Sequence, residues 1–167
     1  PLNSRYTAQE VAAILHRVQA PVVVVADGFL GRTQVADLTS VGTEARIVDI
    51  ADLSDLAPAT EDLAEADRRA GAVTPADVAD ILFTSGTTGE PKGVMSAHHQ
   101  TVGVAREWGS IGGVRADARY LVVNPFFHSF GYKVGIITGL VTGAALYPMA
   151  TFDPDVLMGL IQDEQIT

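Results

Sequence analysis

The feature that most constrains the fold is an alternation of short β-branched runs with amphipathic helical segments along the 167 residues. Residues 21–25 form a wholly apolar run that is typical of a buried parallel strand, and residues 46–50 predict a second strand. A helix over residues 8–19 precedes the first strand, and a capping box of Thr7 and Glu10 opens it. Strands that alternate with helices predict an α/β fold with a mainly parallel sheet flanked by helices.

The second half of the chain repeats this alternation. An acidic helix over residues 60–71 is followed by further predicted strands at residues 78–83, 93–96, 120–123 and 144–147, and by helices at residues 99–108, 130–141 and 154–162. We place a boundary between two α/β subdomains in the acidic segment. The first subdomain is predicted to cover residues 1–76 and the second residues 77–167.

Composition narrows the class of protein. Hydrophobic residues make up 47% and charged residues 19%, which is the balance of a globular chain with a core. The absence of cysteine excludes disulfide frameworks, zinc ribbons and thiol nucleophiles, and it fits a reducing, cytoplasmic compartment. A net charge of −9 argues against nucleic acid as a partner. The apolar stretch over residues 134–148 is too short for stable membrane insertion.

The most informative segment is the loop over residues 84–93, Thr-Ser-Gly-Thr-Thr-Gly-Glu-Pro-Lys-Gly. Glycines let consecutive amide groups turn inward around an anion, hydroxyls add donors, and Lys92 adds a positive charge. This is no Walker A loop, because Pro91 precedes the lysine and Gly93 follows it. The loop also joins two predicted strands, so no helix N-terminus lies behind it. We interpret it as a phosphate-binding loop, with a plain surface turn as the alternative.

The same loop closely resembles the signature loop of the AMP-forming acyl-CoA synthetases. Relatives of these enzymes include the adenylation domains of peptide synthetases and the firefly-type luciferases. Residues 1–6, Pro-Leu-Asn-Ser-Arg-Tyr, resemble another family segment, and His98 matches a histidine that often follows the loop. Residues 124–131, Asn-Pro-Phe-Phe-His-Ser-Phe-Gly, resemble the next core motif, which faces the acyl pocket. The sequence around His128 is most similar to that of actinobacterial fatty-acid-type CoA ligases, some of which act on sterol-derived acids.

The resemblance implies a set of site residues. Lys92 and His128 would be catalytic, and His128, Phe130 and Gly131 would bind the acid. No residue is assigned as a metal ligand, because Mg²⁺ is expected to bridge the phosphates. The β- and γ-phosphates of ATP would be held by the loop residues Thr84, Ser85, Gly86, Thr87, Thr88, Gly89 and Lys92.

Other polar side chains have simpler interpretations. A histidine among phenylalanines, such as His128, is often a core residue whose ring is satisfied. His98 and His99 lack the acidic or cysteine partners of a metal site. His16 is expected on the surface of the first helix. Lys133 is a candidate contact to the substrate, although a solvent-facing helix position is the favoured interpretation.

The resemblance implies that a carboxylic acid, fatty-acid-like or sterol-derived, reacts with ATP to give an acyl-adenylate, which coenzyme A converts to acyl-CoA. An adenylation domain that loads a carrier protein and a non-catalytic nucleotide-binding module are the alternatives. The family's later segments and its small C-terminal domain do not occur in the 167 residues. We therefore expect part of the N-terminal domain of a longer enzyme, inactive alone, and leave homo-oligomerisation open.

Overall fold

A computed structural model describes residues 1–56, 58–84 and 91–167. Contacts divide the chain into two compact units. One unit is Ser4–Ala72, and the other joins Pro1–Asn3 to Val73–Thr167. The predicted subdomains, residues 1–76 and 77–167, place their boundary a few residues further along the chain, and they stay a prediction.

The first unit is built around one parallel strand pair. Helix α1 is Ala8–Val18, strand β1 is Val22–Val25, helix α2 is Gln34–Val41 and strand β2 is Arg46–Asp49. The Thr7–Glu10 capping box is present, because the Glu10 amide donates to Thr7 Oγ1 and the Thr7 amide donates to Glu10 Oε2. Strands β1 and β2 run parallel with Val23 opposite Ile47. These elements confirm the predicted helix and both predicted strands, while α2 was not predicted.

The apolar core of this unit lies between helices α1 and α2 and the strand pair. Its buried side chains are those of Ile14, Leu15, Val23, Leu38, Ala45 and Val48. Helix α3, Thr60–Ala72, has no buried residue, which confirms the prediction of a solvated acidic helix. Single 3₁₀ segments at Phe29–Gly31 and Ile50–Asp55 connect the regular elements.

The second unit begins with a hairpin. Strand β3, Val78–Thr84, pairs antiparallel with β4, Lys92–Ala97, and helix α4, His98–Gly112, follows directly. Strand β5, Arg119–Val122, pairs in parallel with β6, Ala145–Pro148, and helix α6 is Pro154–Asp163. The buried side chains of the second unit are those of Asp80, Leu82, Ser96, Thr101, Ala105, Val122, Val134 and Thr138.

The apolar segment between β5 and β6 differs from the single helix predicted over residues 130–141. Phe130–Ile137 is π-helical, and a short helix α5, Thr138–Thr142, continues it. The Thr138 amide donates to the Lys133 carbonyl five residues earlier, which is the π-helical pattern. Gly135 lies against strand β5, since a Cβ there would come within 2.6 Å of Val122 Cγ1.

The predicted fold class is confirmed: the described residues form a mixed α/β structure in which two of three strand pairs are parallel. The exception is the β3–β4 hairpin, whose strands are joined by the glycine-rich loop. None of the helices in the described part of the chain combines the length and the apolar character that a membrane crossing needs.

Candidate functional site

The β3–β4 hairpin fixes both ends of the predicted phosphate-binding loop. Thr84 closes β3 and Lys92 opens β4, and the two residues lie opposite each other in the strand register. Both are exposed, and Thr84 Oγ1 lies 3.5 Å from the Lys92 carbonyl oxygen. The Phe83 ring packs closely over Gly93, since a Cβ at that position would lie 3.2 Å from the Cζ atom of the ring. Thr84 and Lys92 are thus cross-strand neighbours at the end of the paired strands.

The remaining predicted loop ligands are Ser85, Gly86, Thr87, Thr88 and Gly89, and they lie outside the described residues. Their role in phosphate binding stays a prediction. Strands were predicted on both sides of the loop, and this part of the prediction is confirmed by β3 and β4.

His128 lies in the turn that leads from β5 into the π-helical segment. Its side chain is exposed, so the alternative of a buried core histidine is wrong. The Phe130 amide donates to His128 Nδ1 at 3.2 Å, and the Tyr132 amide donates to the His128 carbonyl at 2.9 Å. Because Nδ1 accepts a hydrogen bond, Nε2 carries the proton in the neutral ring and is the atom that can donate to an oxygen.

Phe130 and Gly131 follow on the same segment but have different environments. The Phe130 ring is 40% exposed and meets Trp108 edge-on, with 5.3 Å between the ring centroids. Gly131 is buried, and a Cβ there would overlap the carbonyl oxygens of Asn124 and Pro125. The contact that the structure describes at Gly131 is therefore with backbone. The predicted contacts of Phe130 and Gly131 with the acid stay predictions.

Trp108 is itself held by a chain of hydrogen bonds. Its Nε1 atom donates to the Tyr120 hydroxyl at 3.1 Å, and that hydroxyl donates to the Val134 carbonyl at 3.0 Å. This chain of bonds connects α4, β5 and the π-helical segment, which fixes the aromatic wall on which Phe130 lies.

Lys133 is not solvent-facing, so the favoured interpretation of this residue is wrong. Its side chain is only 13% exposed, and Nζ lies 2.6 Å from Ser96 Oγ and 3.3 Å from Asp80 Oδ1. Asp80 is 2% exposed at its side chain, and its other carboxylate oxygen accepts a hydrogen bond from Thr101 Oγ1 at 2.6 Å. We call Asp80, Ser96, Thr101 and Lys133 the buried polar cluster.

The buried polar cluster was missed in the sequence, with the exception of Lys133. The available signal was Asp80, a charge within the otherwise apolar strand of residues 78–83, since a charged residue is seldom buried without a partner. Burial, together with the nearby Asp80 carboxylate, raises the pKa of the neighbouring Tyr132 phenol. The Tyr132 side chain is therefore a neutral hydroxyl at neutral pH.

The histidines of α4 lie at its first turn. The His98 amide donates to the Asp77 carbonyl, and His99 Nδ1 lies 2.8 Å from the Pro75 carbonyl oxygen. Hydrogen bonds from the Thr74 amide and hydroxyl hold the pKa of Asp77 below its usual range. His16 is exposed on α1, as predicted.

Mg²⁺ finds no ligand set among the residues that the structure describes. No group of three or more His, Asp or Glu side chains in residues 1–56, 58–84 and 91–167 could hold a metal ion. The described residues therefore do not by themselves form a site for the metal that the resemblance implies.

Fold and loop together define a class, an α/β protein with a candidate phosphate-binding loop between two antiparallel strands. The chain belongs to the AMP-binding enzyme family, whose model matches residues 1–167. This finding confirms the resemblance drawn from the loop and from residues 124–131.

Similar proteins include two named methyl-dioxo-octahydroindenyl-propanoyl:CoA ligases. One is from Rhodococcus jostii, 48% identical over 184 residues, and one is from Mycobacterium tuberculosis, 44% identical over 176 residues. Both matches cover 100% of this chain, but only 36% and 35% of the relatives. The chain therefore spans about a third of the length of these relatives.

A solved structure has the same fold. It is the inhibitor-bound N-terminal domain of FACL13 from Mycobacterium tuberculosis, with a TM-score of 0.78 and 27% identity. The match covers 99% of this chain and 41% of that one.

Proposed function

We propose that the protein containing this chain is an ATP-dependent acid–CoA ligase. The observation that carries the proposal is the match of the entire chain, at 48% identity, to a CoA ligase of Rhodococcus jostii. The hairpin adds independent support, because it places Thr84 and Lys92 beside each other at the ends of a loop rich in glycine and hydroxyl groups. ATP and CoA are the co-substrates of this proposal, and Mg²⁺ would enter with the triphosphate.

The reaction has two steps. A carboxylate oxygen of the acid attacks the α-phosphorus of ATP, the bond between the α-phosphorus and the bridging oxygen breaks, and pyrophosphate leaves. The thiol sulfur of CoA then attacks the acyl carbon, AMP leaves, and the thiol proton passes to solvent. The protein contributes mainly by orienting the reactants and by neutralising charge.

Four of the described site residues have a role in this proposal. The Lys92 ammonium group and the Thr84 hydroxyl donate to oxygens of the β- and γ-phosphates. His128 Nε2 donates to an oxygen of the carboxylate or of the α-phosphate, because Nδ1 is already held by the Phe130 amide. Phe130 offers an apolar surface to the acid, supported by Trp108. The loop residues Ser85, Gly86, Thr87, Thr88 and Gly89 complete the phosphate contacts.

The proposed substrate is a propanoic acid carried on a fused ring. Both ligases with the highest identity named above have a methyl-dioxo-octahydroindenyl propanoyl group in their names. A fatty-acid-like substrate is the competing candidate, since fold does not select among acids. ATP and CoA are intracellular compounds, so the proposal places the enzyme in the cytoplasm.

The test is acid-dependent exchange of radiolabelled pyrophosphate into ATP, measured with the full-length protein. We expect exchange with a bicyclic, ketone-bearing propanoate and at least about 10-fold weaker exchange with a straight-chain acid of equal carbon number. We expect Lys92→Ala to lower kcat by about 100-fold, because the positive charge that would neutralise the leaving pyrophosphate is lost. Arg106→Ala is the matched control, since Arg106 is an exposed cation on α4.

The acceptor is tested separately. Acyl-CoA formation from CoA supports the proposal, whereas transfer only to the pantetheinyl thiol of a carrier protein supports the adenylation-domain alternative. Binding of ATP without exchange for any acid would indicate a non-catalytic nucleotide-binding module. The 167-residue chain alone is expected to give no exchange, because its relatives are nearly three times as long.

A further inference from the structure

The buried polar cluster lies between the two segments that carry the proposed site. Asp80 belongs to β3, which ends at Thr84, and Ser96 belongs to β4, which begins at Lys92. Lys133 belongs to the π-helical segment that starts immediately after the His128 turn. The Lys133 side chain therefore links the β3–β4 hairpin, which carries the candidate phosphate-binding loop, to the π-helical segment that follows His128.

The link is short and shielded from water. Lys133 Nζ donates to Ser96 Oγ at 2.6 Å and pairs with Asp80 Oδ1 at 3.3 Å. That oxygen accepts no hydrogen bond within the described residues, so Lys133 is its one charge partner there. The Thr101 hydroxyl fixes the opposite oxygen and prevents the carboxylate from turning away. Low exposure means that neither salt nor water screens this pair strongly.

Movement of the Lys133 helix would move His128. The Tyr132 amide donates to the His128 carbonyl, and the Phe130 amide donates to the His128 ring, so the turn and the helix are one hydrogen-bonded unit. The backbone of this unit is also in close contact with the Asn124 and Pro125 carbonyls through Gly131. A shift of the helix by 1 Å is enough to cost about 100-fold in a reaction that depends on alignment.

Stability alone is a weak reason for such a pair. Well-packed apolar residues of similar volume replace buried ion pairs without loss of stability in many proteins. An ion pair adds direction, because the Lys133–Asp80 pair and the Lys133–Ser96 hydrogen bond define a single relative placement of hairpin and helix, whereas apolar contacts tolerate sliding.

We infer that Asp80 and Lys133 are positioning residues, whose buried ion pair aligns the His128 segment with the Thr84–Lys92 hairpin for adenylate formation. The inference rests on the proposed function for its reaction, and on the described contacts for its geometry. Neither side chain touches the reactants in this account. Both act through the segments to which they belong.

The experiment compares three variants of the full-length protein with the wild type. Lys133→Met leaves Asp80 buried without its cation, and Asp80→Asn with Lys133→Met removes both charges. Arg115→Met is the matched control, because Arg115 pairs with Asp117 through side chains that are 79% and 77% exposed. The readouts are the thermal midpoint, kcat and KM for adenylate formation, and amide hydrogen exchange across residues 124–133.

We expect Lys133→Met to lower the thermal midpoint and the double variant to recover most of that loss. We expect kcat of the double variant to stay at least about 10-fold below wild type, with a smaller change in KM for ATP. The amides of His128 and Tyr132 are expected to exchange faster in the double variant, while Arg115→Met matches the wild type in every readout.

Recovery of the midpoint, of kcat and of wild-type exchange in the double variant would show that the pair is structural only and would overturn the inference. If the wild type gives no acid-dependent exchange of pyrophosphate, the proposed function fails, and the amide exchange across residues 124–133 still decides whether the pair positions this segment. Should the double variant not fold, Ser96→Ala keeps both charges and removes one acceptor. Faster His128 and Tyr132 exchange in that variant supports the inference, and unchanged exchange contradicts it.

Discussion

The two units of the chain keep their ion pairs in opposite environments. On α3 of the first unit, Glu65 bonds Arg68 and Arg69 through side chains that are 41–75% exposed. In the second unit, Asp80 and Lys133 pair at 2% and 13% exposure. Both arrangements satisfy a carboxylate with a cation, yet water screens only the first.

The distance between two partners along the chain determines whether their contact can be recognised from the sequence. Glu65 and its partners lie within four positions on one helix, so their contact follows from local geometry. Asp80 and Lys133 are 53 positions apart, and only the tertiary fold brings them together. A local contact of the first kind can be predicted from the sequence, and it adds little stability. A tertiary contact of the second kind cannot be predicted in this way, and its loss costs more stability.

The largest effect is expected at Asp80. Asp80→Ala removes the carboxylate that faces Lys133 and leaves an unpaired, nearly buried ammonium group. We expect a loss of about 3–5 kcal/mol in the free energy of unfolding, measured by urea denaturation of the full-length protein. Asp117→Ala is the control, because its partner Arg115 stays in water. Equal losses in the two variants would end the contrast between buried and exposed pairs.

A second strong effect is expected at Gly131. An alanine methyl group would overlap the backbone carbonyls of Asn124 and Pro125, so the turn that carries His128 must shift. We expect Gly131→Ala to destabilise by about 1–3 kcal/mol in the same urea assay.

Gly103→Ala is the matched control on α4, where a Cβ meets no atom within 4 Å. Alanine is the better helix former, so we expect a gain of up to about 1 kcal/mol there. A neutral result at Gly131 would show that the turn yields easily, and would contradict the close contact of Gly131 with the Asn124 and Pro125 carbonyls.

Much of the fold was predictable because its signals are local. The β-branched run of β1 and the Thr7–Glu10 capping box led to the correct elements within one or two residues. Helix α2 was not predicted because Leu38 is its one buried residue. Its first turn is also capped by a residue outside the helix, since Asp27 accepts a hydrogen bond from the Val35 amide. A helix with one buried residue has almost no apolar periodicity to detect.

The candidate site was predictable in part. The residues of the loop were recognisable by type, and the strands on both sides of it were predicted. The structure has Thr84 and Lys92 as the end residues of these strands, and their role in phosphate binding stays a prediction. The environment of Lys133 was not predictable, because helical periodicity does not tell which polar residue faces a buried carboxylate. The π-helical register of Phe130–Ile137 adds to this, since it rotates side chains away from the α-helical spacing.

A moderate effect is expected from the capping box of the first unit. Thr7 Oγ1 accepts from the Glu10 amide at 3.3 Å, and Thr7→Ala removes this bond. We expect a loss of about 1 kcal/mol, measured by urea denaturation at pH 7. Gln9→Ala is the control in the same turn. The Gln9 side chain is exposed, so this change should leave the free energy of unfolding unchanged. A larger loss than that of Asp80→Ala would reverse the ranking of the two units.

The capping box also gives a pH dependence with a definite sign. Hydrogen bonds from the Thr7 amide and hydroxyl hold the pKa of Glu10 below its usual range. A carboxyl whose pKa is lowered by folding stabilises the folded state above its unfolded pKa, and this stabilisation is lost as the pH falls through the folded pKa. The difference between wild type and Glu10→Gln should therefore be constant near pH 7 and shrink below about pH 4. Denaturation curves at a series of pH values check this, and a difference that grew on acidification would contradict it.

The smallest effect is expected at Glu65, and it bears most directly on the comparison. The two arginines hold the pKa of the Glu65 carboxyl below its usual range. As for Glu10, this carboxyl therefore contributes stability to the folded state at neutral pH, and the contribution is lost on acidification. All three side chains are well exposed, however, so side-chain ordering and solvent screening offset the attraction. Glu65→Gln should leave the thermal midpoint within error of the wild type, in low and in high salt. A clear loss that salt abolishes would show that α3 depends on its ion pairs, and burial would then no longer separate the pairs that matter from those that do not.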